Sequence, residues 1–355
     1  MRLTISATYT AIILLCIFLL LCSCGSGGGA SGAVSTSATI QNIPLENVNG
    51  VNGNGDIIVA SYTDTTNHGA NTGFKETLKI YQQDSTNADL LLNLSSVYLG
   101  VDTLYHGVPD ITLNSQWATI TMNDTDLGAN DGWVALVSLA GPNYTLAATL
   151  AFNATLDRAV AADNWLLVAS STDLELYSIA TPTAPVLTGS YTLSSTTTSM
   201  VALPHGFFVI TNNGYAYLNT SDPLNITFSE TANSDIKQSK SAYLMGNKLY
   251  IGGPSKYAGK IKIARVDLTA PSSPAVDIIN DQIDGALNGF SYDGGEGYYV
   301  ETFNKVMQYK DAGGVLSLNK AIASTSYSGS GASQFYAWNG RYYTAVSGFN
   351  VCKMP

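Results

Sequence analysis

Seven segments of the chain share one pattern, a turn cluster leading into an aromatic or aliphatic strand. They are GDIIVAS (55–61), QWATITM (116–122), NWLLVAS (164–170), GFFVITN (206–212), NKLYIGG (247–253), GYYVETF (297–303) and GRYYTAV (340–346). After each comes a second strand with period-two alternation: LKIY (78–81), WVALVSL (133–139), LELYSI (174–179), YAYLN (215–219), IKIARVDL (261–268), KVMQYK (305–310) and FNVCK (349–353). Centred on Ile80, Leu136, Leu176, Tyr217, Ile263, Gln308 and Val351, these units are spaced by 56, 40, 41, 46, 45 and 43 residues. A period near 40–45 residues, with about four strands per unit, predicts a β-propeller.

The two ends refine that expectation. Most units run on into a further strand after the alternating one, as in YTLAATLAF, APVLTGSYTL and VLSLNKAIA, but the seventh has none before Pro355. A spare strand-like stretch, ATIQNIPL (38–45), stands near the other end. A closed ring must satisfy the edge of its last blade. The sequence therefore predicts an all-β fold: a seven-bladed β-propeller over residues 38–355, closed by an N-terminal strand that completes the last blade. The inner strand of the first blade is the least distinct and is expected at about Glu46 to Val51.

Residues 1–32 read MRLTISATYTAIILLCIFLLLCSCGSGGGASG. The unbroken apolar run from Ala11 to Cys22 is shorter than the ~20 residues a membrane-spanning helix needs, and fits the core of a signal peptide. Leu21-Cys22-Ser23-Cys24 resembles the bacterial lipobox, an aliphatic residue and two small ones before an acylated Cys. The resemblance implies a signal peptide over 1–23, an acylated Cys24 at the mature N-terminus, and a Gly/Ser-rich tether over 24–37. The competing reading is an ordinary secretory signal cut elsewhere. Two or three acyl chains hold a protein firmly to a bilayer, whereas one does so only marginally. Gly25, rather than Asp, after the Cys implies the outer membrane by the same resemblance.

A second resemblance rests on the third unit. ADNWLLVASSTDLELYSIATPTAPVLTGSYTL (162–193) is similar to an LVIVD repeat through Leu174, Leu176, Ile179, Pro182, Pro185, Val186 and Gly189. The fifth unit, IKIARVDLTAPSSPAVDII (261–279), echoes it with Asp267, Pro271 and Pro274. The family implies a propeller, mostly in extracytoplasmic proteins of bacteria and archaea, and no single activity.

The side chains that could carry chemistry are few. His106 sits in DTLYHGVPDI between Asp102 and Asp110, a segment that enters an inner strand. With Asp157, Arg158 and Asp284 it is the candidate set for the mouth of the central channel; solvated loop residues are the plainer reading. By the same logic Lys237, Lys240 and Asp281 are expected in loops entering inner strands. NDTDLGANDG (123–132) offers Asp124, Asp126 and Asn130 as calcium ligands, although Gly128 breaks the EF-hand order and no bidentate Glu follows. NGVNGNGD (49–56) and this loop read more simply as hairpin turns, where Asn-Gly and Asp-Gly supply positive φ. No G-x-S-x-G elbow, HExxH or paired CxxC occurs. Trp117, Trp133, Trp165 and Trp338 lie in or beside strands and are expected to pack. Cys352 is left without a partner once the signal leaves and Cys24 is acylated, and reads as a small buried hydrophobe.

Sixteen basic against 26 acidic residues give a net charge of −10, which argues against nucleic acid as a partner, because phosphate contact needs a basic footprint. The chain thus reads as a monomeric, membrane-anchored extracytoplasmic propeller without a cofactor, serving as a binding or scaffold module for a protein or glycan. The alternative is a propeller enzyme, a metal-assisted hydrolase or lyase, working at the channel mouth.

Overall fold

The structure, a computed structural model, describes residues 38–45, 48–64, 74–103, 109–123, 131–141, 143–295, 297–302, 305–311, 316–323, 335–345 and 349–354. Strand β1 (Ala38–Ile43) comes first and stands apart from the strands that follow it. Blade 1 is β2 (Val48–Asn54), β3 (Ile57–Asp64), β4 (Phe74–Gln83) and β5 (Leu91–Thr103). Blade 2 is β6 (Asp110–Leu113), β7 (Trp117–Asn123), β8 (Gly132–Ser138) and β9 (Thr145–Phe152). Blade 3 is β10 (Arg158–Ala162), β11 (Trp165–Ser170), β12 (Asp173–Ser178) and β13 (Val186–Thr192). Blade 4 is β14 (Thr197–Leu203), β15 (Gly206–Thr211), β16 (Gly214–Asn219) and β17 (Thr227–Ala232). Blade 5 is β18 (Ser241–Met245), β19 (Lys248–Pro254), β20 (Lys260–Asp267) and β21 (Ala275–Asp284). Blade 6 is β22 (Leu287–Tyr292), β23 (Tyr298–Thr302), β24 (Lys305–Asp311) and β25 (Leu316–Ala323). Blade 7 takes β26 (Phe335–Trp338), β27 (Arg341–Thr344) and β28 (Phe349–Lys353) from the end of the chain, and β1 as its outermost strand.

The predicted closure is therefore observed. β1 runs antiparallel to β28, with Ala38 opposite Lys353 and Ile43 opposite Phe349. Each inner strand touches the next around the ring, and β26 meets β2 to complete the circle. The inner strands also run the same way. Thr112 reaches the carbonyl of Ala159, and Asn114, two residues on, reaches that of Ala161, two residues on. The ring thus has an upper face, where inner strands begin, and a lower face, where they turn back into the second strand of each blade.

The packing explains the sequence pattern. The second strand of a blade is walled by sheet on both sides, so WLLVAS and GFFVIT are almost wholly buried. The outermost strand has one free edge, and VLTGSYT is mostly exposed. There is no single central core. Seven apolar clusters instead fill the seven gaps between neighbouring blades. All four tryptophans are half-buried against these clusters, and Cys352 is buried in the one between blades 6 and 7, as the sequence suggested.

Blade 1 departs from expectation. Its inner strand is β2, Val48–Asn54, so most of the stretch read as a turn is strand, and the turn lies at Gly55 (φ 61°). Asn and Gly hid the strand because both usually mark turns. Gly53 is needed for another reason: a Cβ there would fall 2.3 Å from the ring of Tyr336, across the gap to blade 7.

Candidate functional site at the upper channel mouth

A cavity of about 210 Å³ runs down the axis of the ring. Its walls differ in chemistry. On blades 1 to 3 polar side chains face it and sew the inner strands together: Asn52 Nδ2 donates to the Ile111 carbonyl (2.5 Å), Thr112 to Ala159 (2.8 Å) and Asn114 to Ala161 (2.6 Å). On blades 4 to 7 the wall is mostly apolar and aromatic, with Met200, Leu244, Phe290 and Phe335, broken by Ser241 and Ser291.

At the upper mouth the first residues of two inner strands meet. Arg158 opens β10 and Asp110 opens β6. Arg158 Nε lies 2.7 Å from Asp110 Oδ2, and Nη2 donates to Oδ1 at 2.7 Å. Nη1 donates to Ser199 Oγ on β14, also at 2.7 Å. The guanidinium thus spans three blades, with hydrogen bonds from Nη1 and Nη2 and an ion-pair contact from Nε. The two charged side chains are only 13% and 15% exposed, so the pair is largely removed from water. A bidentate geometry suits such a site, since a planar fork matches the two carboxylate oxygens.

Around this pair stand buried hydroxyls that the fold leaves unpaired. Thr121 Oγ1, Thr197 Oγ1 and Ser241 Oγ are shielded and have no hydrogen-bond partner among the described residues. Thr121 lies opposite Asp110 in the sheet, Thr197 is two residues before Ser199, and Ser241 lines the cavity. Buried polar groups are seldom left this way unless water or a ligand satisfies them. Ser199, Thr197 and Ser241 escape a reading of the sequence, because lone hydroxyls in strands look like ordinary alternation. Their position at the start of inner strands is the one signal that could have found them.

The remaining expected site residues are dispersed. Asp157 precedes Arg158 but is exposed and lies outside the pair. Loss of hydration raises its carboxyl above the ordinary value, against the Ser171 N–H and the Arg158 charge, which lower it. Asp284 does not line the mouth. It ends β21, the outermost strand of blade 5, is 89% exposed and pairs with Lys260 Nζ at 2.5 Å. That hydrogen bond, more than the lysine's charge, holds its carboxyl below the usual range. Asp281 lies in the same outer strand and faces Lys256 at 3.8 Å. The error has a physical source: β21 is ten residues long, so the outer strand extends over what looked like the approach to β22. Cys24, His106, Asp124, Asp126 and Asn130 lie outside the described residues. Among the described residues no group of three His, Cys, Asp or Glu side chains is placed to hold a metal ion.

No protein family and no curated protein matches the chain by sequence. Solved structures do match it in shape. A functionally unknown protein from Desulfotomaculum acetoxidans shares 12% identity with a TM-score of 0.54, over 76% of this chain and 86% of that one. The periplasmic gluconolactonase PpgL of Pseudomonas aeruginosa shares 10% identity with a TM-score of 0.51, over 77% of this chain and 84% of that one. What these likenesses establish is the fold: the chain is a seven-bladed β-propeller.

Proposed function

We propose that this chain is an extracytoplasmic lipoprotein of the LVIVD-repeat kind, held to the outer membrane through Cys24, whose ring binds a protein or glycan partner at its upper channel mouth. The observation that carries the binding role is the set of unpaired hydroxyls around the Arg158–Asp110 pair. A bound group rich in hydroxyls or carrying a carboxylate would satisfy them beside the Arg158 charge. Asp110, the carboxylate that lines the cavity among the described residues, already has both oxygens against the guanidinium, which favours recognition over acid–base catalysis.

The anchor and the binding role are tested separately. Labelled palmitate should enter the wild-type chain and not Cys24→Ala, which should move from the membrane to the soluble fraction. Labelling of both would overturn the anchor. For the mouth, the mature protein is titrated with defined peptidoglycan and lipopolysaccharide fragments and with purified envelope proteins. Ser241→Ala should weaken the tightest of these at least about tenfold, since a hydroxyl used by a ligand is worth roughly that much. An unchanged affinity would place binding elsewhere. Turnover of gluconolactone by the wild type, abolished in Asp110→Asn, would replace the binding reading with the enzyme one.

A further inference from the structure

The outer rim where blades 7 and 1 meet carries an apolar strip that the fold does not cover. Leu90, Leu92 and Leu94 are 45%, 47% and 37% exposed at the beginning of β5, the free outer edge of blade 1. Leu92 and Leu94, two residues apart, share the outward face of the strand, while Leu91 between Leu90 and Leu92 is buried. A bulge between the pairs Tyr81–Asn93 and Ile80–Ser95 falls within this run, and Asn93 is exposed as well. Contiguous exposed leucines on an edge strand mark a contact surface.

The position of the strip identifies what it contacts. Leu91 lies opposite Gln83, level with the turn that follows β2, and therefore at the lower face. Ala38, where β1 begins, lies opposite Lys353 and through it Arg341, next to the blade 7 turn, and is at the same face. The two edges are joined directly, because the Leu91 N–H donates to Gln41 Oε1 of β1 at 3.2 Å. A second clamp, Arg341 Nε to Asp89 Oδ1 at 2.6 Å, holds the turn before β5 against blade 7. The fourteen residues from Cys24 to Ser37 therefore attach beside the strip. Fully extended they reach about 50 Å. As a Gly/Ser-rich coil their root-mean-square span is about 20 Å.

We infer that the Leu90–Leu94 strip seats the ring on the bilayer that Cys24 is anchored in, with the lower rim of blades 7 and 1 down and the upper mouth turned away from the lipid. This rests on the lipid-anchor reading. A tether this short keeps the strip at a high local concentration beside the membrane, so shallow burial of a few leucines is enough to fix an orientation. The nearby charges favour an uncharged surface. Asp89 is paired with Arg341, while Asp84 in the same turn stays ionised, its carboxylate held low by the Thr86 hydroxyl and the Thr86 and Asn87 N–H groups. A zwitterionic bilayer therefore suits the strip better than an anionic one.

The test uses the lipidated mature protein in phosphatidylcholine vesicles, with acylation of Cys24 confirmed by mass. Buried Cys352 stays unlabelled, so an environment-sensitive dye can be placed at Leu92→Cys or, on the upper-face loop, at Tyr257→Cys. The dye at 92 should be quenched severalfold by spin-labelled lipid, and the dye at 257 should not. The triple change Leu90→Ser, Leu92→Ser and Leu94→Ser should make the unacylated domain bind vesicles about tenfold more weakly. Equal quenching at both sites, or at neither, overturns the seating and leaves the anchor standing. Protection of the dye at 92 that rises with protein concentration without vesicles assigns the strip to a second copy and overturns it too. Absence of acyl mass on Cys24 sinks the anchor reading and the seating with it.

Discussion

The seams between blades 2, 3 and 4 and those between blades 5, 6 and 7 do the same job with a different balance of chemistry. An ion pair and side-chain amides dominate the first and tyrosine rings the second, although Phe152–Tyr177 and Tyr191–Phe228 also cross the first and Ser291 bonds Ala337 across the second. In the first group, directional polar bonds cross the gaps: Arg158 to Asp110 and Ser199, Thr112 and Asn114 to carbonyls, and Asn123 both to and from Leu156. In the second group, rings fill them. Tyr250 of blade 5 stacks on Tyr292 of blade 6 at 4.2 Å, Tyr292 meets Tyr298 of its own blade at 4.9 Å, and Tyr243 of blade 5 approaches Tyr336 of blade 7 at 6.4 Å. An aromatic seam draws on area and dispersion, which tolerate small changes. A buried ion pair tolerates the loss of neither partner. A repeat architecture can thus keep its period while different gaps rely on different interactions.

The contrast is open to direct attack. The largest effect expected is that of Arg158→Met, which takes the guanidinium away from the shielded Asp110 carboxylate and should cost about 3–5 kcal/mol in denaturant unfolding. Adding Asp110→Leu should recover most of that loss; if the double variant is as unstable as the single one, packing rather than charge is at stake. Alkali should attack the other side of the ring. Burial pushes the Tyr292 hydroxyl up to about 12, with the neighbouring Tyr250 adding to the shift, and raises Tyr298 and Tyr336 as well. An unfolded tyrosine ionises near 10, so above that pH the unfolded chain releases protons that the folded chain keeps. Stability should therefore be level below about pH 10 and fall between about pH 10 and 12, with Tyr292→Phe blunting the fall in a pH series of melts. Tyr250→Phe should cost only about 1 kcal/mol, because the ring contacts survive the loss of one hydroxyl. The smallest effect on stability is that of Ser241→Ala. It removes a hydroxyl that the fold does not pair, and the unfolding free energy should stay within ~0.5 kcal/mol of wild type or rise.

The ring was legible because a propeller writes its period into the chain. NWLLVAS and GFFVITN are hydrophobic throughout since both their faces meet neighbouring blades, and that burial repeats in every unit. The closing strand was legible from a deficit, a last unit one strand short. The mouth was only half legible. Asp110 and Arg158 stand out as charges at the start of inner strands, but nothing local to Ser199 or Ser241 tells that they face the axis. Asp284 misled because strand length, not sequence distance, decides whether a residue is at the rim or the centre. Blade 1 was hardest, as its inner strand VNGVNGN uses turn-forming residues so that the ring of Tyr336 can lie against Gly53.

The pairing of β1 with β28 also defines a load path. Drag on the domain that is resisted through Ala38 enters the β1–β28 ladder first and passes from there into blade 7. The Gln41 bond to blade 1 and the Arg341–Asp89 clamp then share it with the neighbouring sheet. With the lipid anchor proposed above, the weld that shuts the circle would also be the mooring point, so tearing the protein off its support and opening the ring would be one mechanical event.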